Sequence, residues 1–140
     1  MELNDYKYEE INVGDIFEFK RNITADNLNE YAKLTGDFNP LHCDEEYAKK
    51  TIFKGRIIHG MLAGSLFSTL VGMMCPGKRN LYLSQSLNFK RHIYPNSELT
   101  VKGVIKNKID SMKIIVLGTE ILVDGKIVIN GEAKVKVLGD

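Results

Sequence analysis

An acid and an imidazole stand five residues apart in the run Gly36-Asp37-Phe38-Asn39-Pro40-Leu41-His42. A histidine titrates near neutral pH and can take a proton from water. A carboxylate beside it can carry a second proton when burial raises its pKa. Two such groups converging on one water are equipped to add that water to a substrate or to remove it. By residue type alone, the same spacing also suits an aspartate that caps a turn and a histidine at the surface. A second feature is His59-Gly60, which precedes the apolar run Met61 to Met74. A helix N-terminus offers unpaired N–H groups and a partial positive charge. Gly60 has no side chain, so a carbonyl oxygen that gains charge can approach its N–H closely. A plain tight entry to the helix would use the same two residues.

Other chemistries lack their residues. There is no G-x-S-x-G elbow for a serine hydrolase, no phosphate-cradling Walker loop and no G-x-G-x-x-G. Ser65, Ser68 and Thr69 fall inside the apolar run, where hydroxyls commonly bond back to a carbonyl one turn earlier. His42, Cys43 and Asp44 are of metal-ligating type, but adjacent side chains rarely converge, and no second ligand pair has a usual zinc spacing. No metal and no cofactor are expected. Lys78, Arg79, Lys90 and Arg91 flank the first long alternating segment, as solvated charges or as partners for a phosphate.

Composition bounds the setting. The chain has 140 residues, 44% hydrophobic and 26% charged, which is the profile of a soluble globular protein. Residues 1–140 fit one domain with a substantial core. Lys plus Arg number 19 and Asp plus Glu number 18, a net charge of +1, so no basic field for nucleic acid is present. Cys43 and Cys75 cannot form a disulfide framework, and a reducing, cytoplasmic setting is expected. The start, Met1-Glu2-Leu3-Asn4-Asp5, has no apolar core of a signal peptide. From Ile57 to Gly77 no formally charged residue occurs, a length that would span a bilayer. Gly60, Gly64, Gly72 and Pro76 interrupt it, so a buried helix of a soluble domain is expected, without membrane insertion.

The elements that must position these residues follow from periodicity. Thr24 is placed to cap a helix whose Leu28, Tyr31, Ala32 and Thr35 share one face, with Gly36 as its stop. Pro40 pushes Asn39 away from helical geometry, so an irregular loop is expected from Asp37 to His42. Asp44 to Ala48 reads as a short helix. Met61 to Met74 reads as a long helix, apolar on nearly every side and wrapped by other structure. Beyond Pro76-Gly77 the period becomes two. Leu81, Leu83, Gln85, Leu87 and Phe89 form one alternating row. Leu99, Val101, Gly103 and Ile105 form another, and Ile127, Ile129, Gly131, Ala133, Val135 and Val137 a third. Lys113 to Val123 is apolar on both faces, as in a central strand, and Asp124-Gly125 signals a hairpin. Asp15 to Ile23 adds a strand with Phe17 and Phe19 inward. The expected class is α+β, an apolar helix laid against the dry face of a curved antiparallel sheet.

Several of these runs together resemble one family. Tyr31 to His42, Ile58-His59-Gly60-Met61-Leu62, Ser65-Leu66-Phe67-Ser68, Pro76-Gly77 and Tyr82 to Lys90 are similar, in order, to the motifs of MaoC-like (R)-specific enoyl-CoA hydratases. The resemblance implies a hot-dog fold and a homodimer. It implies reversible hydration of a trans-2-enoyl thioester to the (R)-3-hydroxyacyl thioester, with coenzyme A as part of the substrate. It makes Asp37 and His42 the catalytic pair, Gly60 the oxyanion glycine, Ser68 a supporting serine and Asn39 a residue that holds the loop. Phe53, Leu62 and Leu66 are then candidate walls of an acyl tunnel, and Lys90 and Arg91 candidate partners for the coenzyme A phosphates. A dehydratase acting on acyl carrier protein and a hot-dog thioesterase are the competing activities.

Overall fold

The computed structural model describes every residue from Met1 to Asp140. After a 3₁₀ turn at Tyr8–Glu10, the chain forms β1 (Ile16–Asn22), α1 (Ala25–Thr35), α2 (Pro40–Cys43) and α3 (Glu45–Lys49). A helical run follows as α4 (Gly60–Gly64), α5 (Leu66–Thr69) and a π-turn at Leu70–Met74. The rest is strand: β2 (Asn80–Gln85), β3 (Asn88–Phe89), β4 (Glu98–Ile109), β5 (Ile114–Val123) and β6 (Lys126–Val137). All pairings are antiparallel, in the order β1-β4-β5-β6-β2, with β3 also on β6.

Local signals explain α1. Thr24 accepts a hydrogen bond from the Asn27 N–H, and the Asn27 side chain accepts one from the Thr24 N–H. That reciprocal box satisfies two donors the helix start leaves free. At the other end Gly36 takes φ +83°, a left-handed conformation, and ends the helix where the segment Asp37 to His42 begins. The Asp124-Gly125 hairpin also forms as expected, with φ of 51° and 75° at the two positions of a type I′ turn.

The helical run lies on the inner face of the sheet. Ala63, Phe67 and Leu70 join Leu99, Val101, Ile121 and Ile129 in one core cluster. Val71 and Cys75 join Ile105, Ile115, Leu117, Ala133 and Val135 in a second. Register aligns these into rows across the sheet, Val101 beside Ile121 beside Ile129 and Ile105 beside Leu117 beside Ala133. β5 is central and buried along most of its length, as its two apolar faces require.

Four details differ from the periodicity. The long helix is neither regular nor fully wrapped. It breaks at Ser65, whose hydroxyl donates to the Leu62 carbonyl at 2.5 Å, and Met61, Ser65 and Ser68 stay exposed along one side. The row Leu81, Leu83 faces outward, each 49% exposed, while Tyr82 is half-buried against the second core cluster. A register shift between Tyr82 and Ser84 marks a bulge at Leu83 in this edge strand. In β6 a second shift lets Val128 and Ile129 both turn inward and leaves Ile127 exposed. Finally, His42 stands on a helical turn, not on irregular loop, because Pro40 occupies the first helical position, where its missing N–H costs nothing.

Candidate active site

The segment Asp37 to His42 is held by its own side chains first. The Asp37 carboxylate accepts from the Asn39 N–H at 3.2 Å. Asn39 caps α2, its side-chain oxygen accepting from the Leu41 N–H at 3.0 Å. Asn39 thus joins the loop to the start of α2 through both its N–H and its side chain.

A second segment, Arg56 to His59, then holds the loop from outside. The Arg56 Nε–H donates to the His42 carbonyl at 2.5 Å, and an Arg56 terminal nitrogen reaches the Asn29 side chain on α1 at 2.7 Å. The His42 Nδ1 lies 2.9 Å from the Ile57 carbonyl. A carbonyl only accepts, so Nδ1 carries the hydrogen and Nε2 keeps its lone pair. His42 is therefore set as a base. His59 Nε2 lies 3.2 Å from the Asp37 carbonyl, and its ring stacks on that of His42 with centroids 4.0 Å apart. One ligand-type atom from each of Asp37, His42 and His59 lies within 4.8 Å of the other two.

His42 and Gly60 line a pocket of about 510 Å³. Its walls are mainly apolar, with Phe53, Ile58, Met61, Phe89 and Ile93 among them, and Lys90, Arg91 and His92 complete it. Gly60 begins α4, so its N–H has no carbonyl one turn back to bond. A Cβ at Gly60 would lie 2.8 Å from two carbons of the Phe89 ring, so glycine is required there by space.

Residues 10–126 match the model of the MaoC like domain. The chain belongs to the MaoC-like domain family. It is 37% identical over 130 residues to the (R)-specific enoyl-CoA hydratase of Aeromonas caviae, covering 92% of this chain and 97% of that protein. It is 32% identical over 127 residues to a mitochondrial 3-hydroxyacyl-[acyl-carrier-protein] dehydratase of Arabidopsis thaliana, covering 88% and 75%. The R-hydratase PhaJ1 of Pseudomonas aeruginosa, solved unliganded, superposes with a TM-score of 0.94 at 33% identity, over 99% of this chain and 89% of that one. The hot-dog fold implied by the sequence motifs is the fold of these MaoC-like relatives and of this chain.

Within the MaoC-like site, Asp37, Asn39 and His42 come together on the loop, and Phe53, Gly60, Lys90 and Arg91 share the pocket with His42. Leu62 and Leu66 do not. They line a separate cleft of about 330 Å³ beside α1, with Tyr31 and Leu34. The turn of the helix that faces the pocket carries Met61 instead, and Phe89 comes from β3. Ser68 is exposed on the helical run, about two turns past Gly60. Residue patterns did not single out Arg56, Phe89 or His92, nor give His59 a role of its own. The only sequence signal was proximity, since Arg56 and His59 bracket the run that ends at Gly60.

Proposed function

We propose that this protein catalyses the reversible hydration of trans-2-enoyl-CoA to (R)-3-hydroxyacyl-CoA, as a hydro-lyase of one hot-dog domain that needs no metal or added cofactor. The observation that carries the reading is the His42 tautomer. Its Nδ1–H is committed to the Ile57 carbonyl, which leaves Nε2 as the free acceptor of a ring gathered with Asp37 and lining a pocket that also holds a free helix-start N–H. Named relatives of the same length class act on enoyl-CoA.

In the mechanism, the thioester carbonyl accepts from the Gly60 N–H, which stabilises charge as the enolate develops. His42 takes a proton from water while the oxygen bonds to C3. The C2=C3 electron pair moves toward the carbonyl, and C2 then takes a proton from Asp37 or from the water it holds. Passing the proton from His42 to Asp37 through solvent restores the pair, and the net change is one water added. The pocket's apolar wall receives the acyl chain. Lys90 and Arg91 also line an adjoining cleft of about 370 Å³ with Lys126, which suits the coenzyme A phosphates. The exposed Leu81 and Leu83 on the edge strand supply a surface for a second copy in a homodimer. No helix is long and apolar enough to cross a membrane, and we place the protein in the cytoplasm.

The plant relatives that act on acyl carrier protein favour a second reading, dehydration of the carrier-bound 3-hydroxyacyl thioester at the same pair. Crotonyl-CoA tests both. Loss of its ultraviolet absorbance, with product oxidised by an (R)-specific and not an (S)-specific 3-hydroxyacyl dehydrogenase, supports the hydratase. Turnover of the carrier-protein thioester alone moves the assignment to the dehydratase. Release of free thiol means a thioesterase and redraws the roles of Asp37 and His42.

A further inference from the structure

His59 is 2% exposed, and its Nδ1 is buried without a hydrogen-bond partner. An orphaned buried nitrogen costs stability, and an apolar ring would fill the same space without it. What the imidazole has that such a ring lacks is the Nε2–H, which donates to the Asp37 carbonyl across 22 residues of chain. The same ring lies 4.0 Å from His42 at an interplanar angle of 27°, and Tyr31 packs against it at 4.7 Å. We infer that His59 is a positioning residue of this site: its N–H fixes the backbone of Asp37 and its ring fixes the plane of His42, so one side chain sets the distance between the two reacting groups.

Neutrality is part of the role. With Nε2 protonated and Nδ1 facing no acceptor, the ring carries no charge, and burial pushes its pKa below the usual histidine value. His42 can then hold the proton it takes from water without a second cation stacked on it. The inference rests on the hydration reading, because it assigns both neighbours their roles.

The test is a mutant cycle joined to a spectrum. His59→Phe keeps an aromatic stack and removes the N–H. It is expected to lower kcat at least tenfold with KM changed less than threefold. Added to His42→Ala, it should cost no more than a further twofold, because a residue that acts through His42 has nothing left to position. His59→Gln, which keeps an N–H donor, is expected to lose less than His59→Phe, and it replaces that variant in the cycle if circular dichroism shows the Phe variant unfolded. The chain has three histidines, so long-range ¹H–¹⁵N correlation at pH 7 resolves each. His59 is expected as the neutral Nε2–H tautomer and His42 as the Nδ1–H tautomer. A kcat above half of wild type in His59→Phe overturns the inference. So does an undiminished loss in the His42→Ala background, or a charged or Nδ1–H His59. A wild-type protein inactive on short- and long-chain trans-2-enoyl-CoA and on the carrier-bound thioester sinks the hydration reading instead, and the spectrum still judges His59 without turnover.

Discussion

Adding one methyl at Gly60 should damage the reaction more than the fold. The Cβ of Gly60→Ala would sit 2.8 Å from both Cδ1 and Cε1 of Phe89, where carbon atoms prefer about 3.5–4.0 Å, an overlap of about 0.7–1.2 Å. Gly60 has ordinary helical backbone, so no dihedral strain is added. Relief must come from the Phe89 ring or from a shift of the α4 start. Phe89 is 51% exposed on a two-residue strand paired to β6, so its ring can yield. Overpacking costs about 1–3 kcal/mol in a tight core, and this half-open site belongs near about 1 kcal/mol. The ring and the Gly60 N–H both face the substrate, however, and misplacing an oxyanion donor costs up to about 10²–10³-fold. We expect kcat/KM for crotonyl-CoA to fall about 10–100-fold by the absorbance assay, with the urea unfolding free energy lowered by only about 1 kcal/mol. In a Phe89→Ala background the same methyl should cost less than threefold, since the ring it strikes is gone. Full activity in Gly60→Ala would refute the placement of the thioester carbonyl. An undiminished loss without Phe89 would refute the contact as its cause.

Three further outcomes follow from the site. Asp37→Asn and His42→Ala should each lower kcat by about 10²–10⁴-fold while leaving thermal unfolding near wild type, because both side chains are outside the buried core; near-normal turnover in either variant removes that residue from the mechanism. Burial, opposed by the hydrogen bond to the Asp37 carbonyl and reinforced by His42 and Arg56 nearby, leaves the His59 pKa lowered. Below the ordinary histidine pKa of about 6.5 the unfolded chain binds a proton that the folded chain refuses, so this contribution is intact above that pH. It is lost as pH falls toward the folded-state pKa, by up to about 1.4 kcal/mol per pH unit. Urea titrations of wild type and His59→Gln at pH 7 and pH 5 should differ in slope with pH, and equal slopes would contradict a neutral buried ring. Burial also pushes the Cys75 thiol up to about 12. A thiol reagent at pH 8 should therefore label Cys43 alone in the native protein and both cysteines in urea; two reactive native thiols would mean that the end of the helical run opens readily.

Features carried by a few neighbouring residues were legible in the chain. Thr24 and Gly36 bound α1 because capping needs only the residues within one turn. Asp124-Gly125 makes its hairpin because two positive-φ positions are satisfied locally. The inner rows of β4 and β6 alternate because one face of each strand is dry. The candidate pair itself was readable as residue types at a spacing, and Asn39 and Pro40 as the residues that shape it.

Features that depend on contacts between distant segments were not. The pairing of β2 with β6 sets Leu81 opposite Lys136 and Tyr82 opposite Val135, which turns the leucines outward, and periodicity does not show which face of an edge strand is dry before its partner is known. Leu62 and Leu66 face α1, while Met61 faces the pocket, because the rotation of a helix apolar on several sides is decided by what packs against it. The residues that hold Asp37 and His42, Arg56 and His59, lie 14 to 22 residues away and meet them through backbone carbonyls and one ring stack. Carbonyls are present at every position, so nothing in the order of side chains marks which one is held. By itself the sequence determined which groups are available for the chemistry and which local turns carry them. Tertiary packing decided the tautomer of His42, the partner of Asp37 and the wall of the pocket, because each depends on where a second, separately folded segment comes to rest.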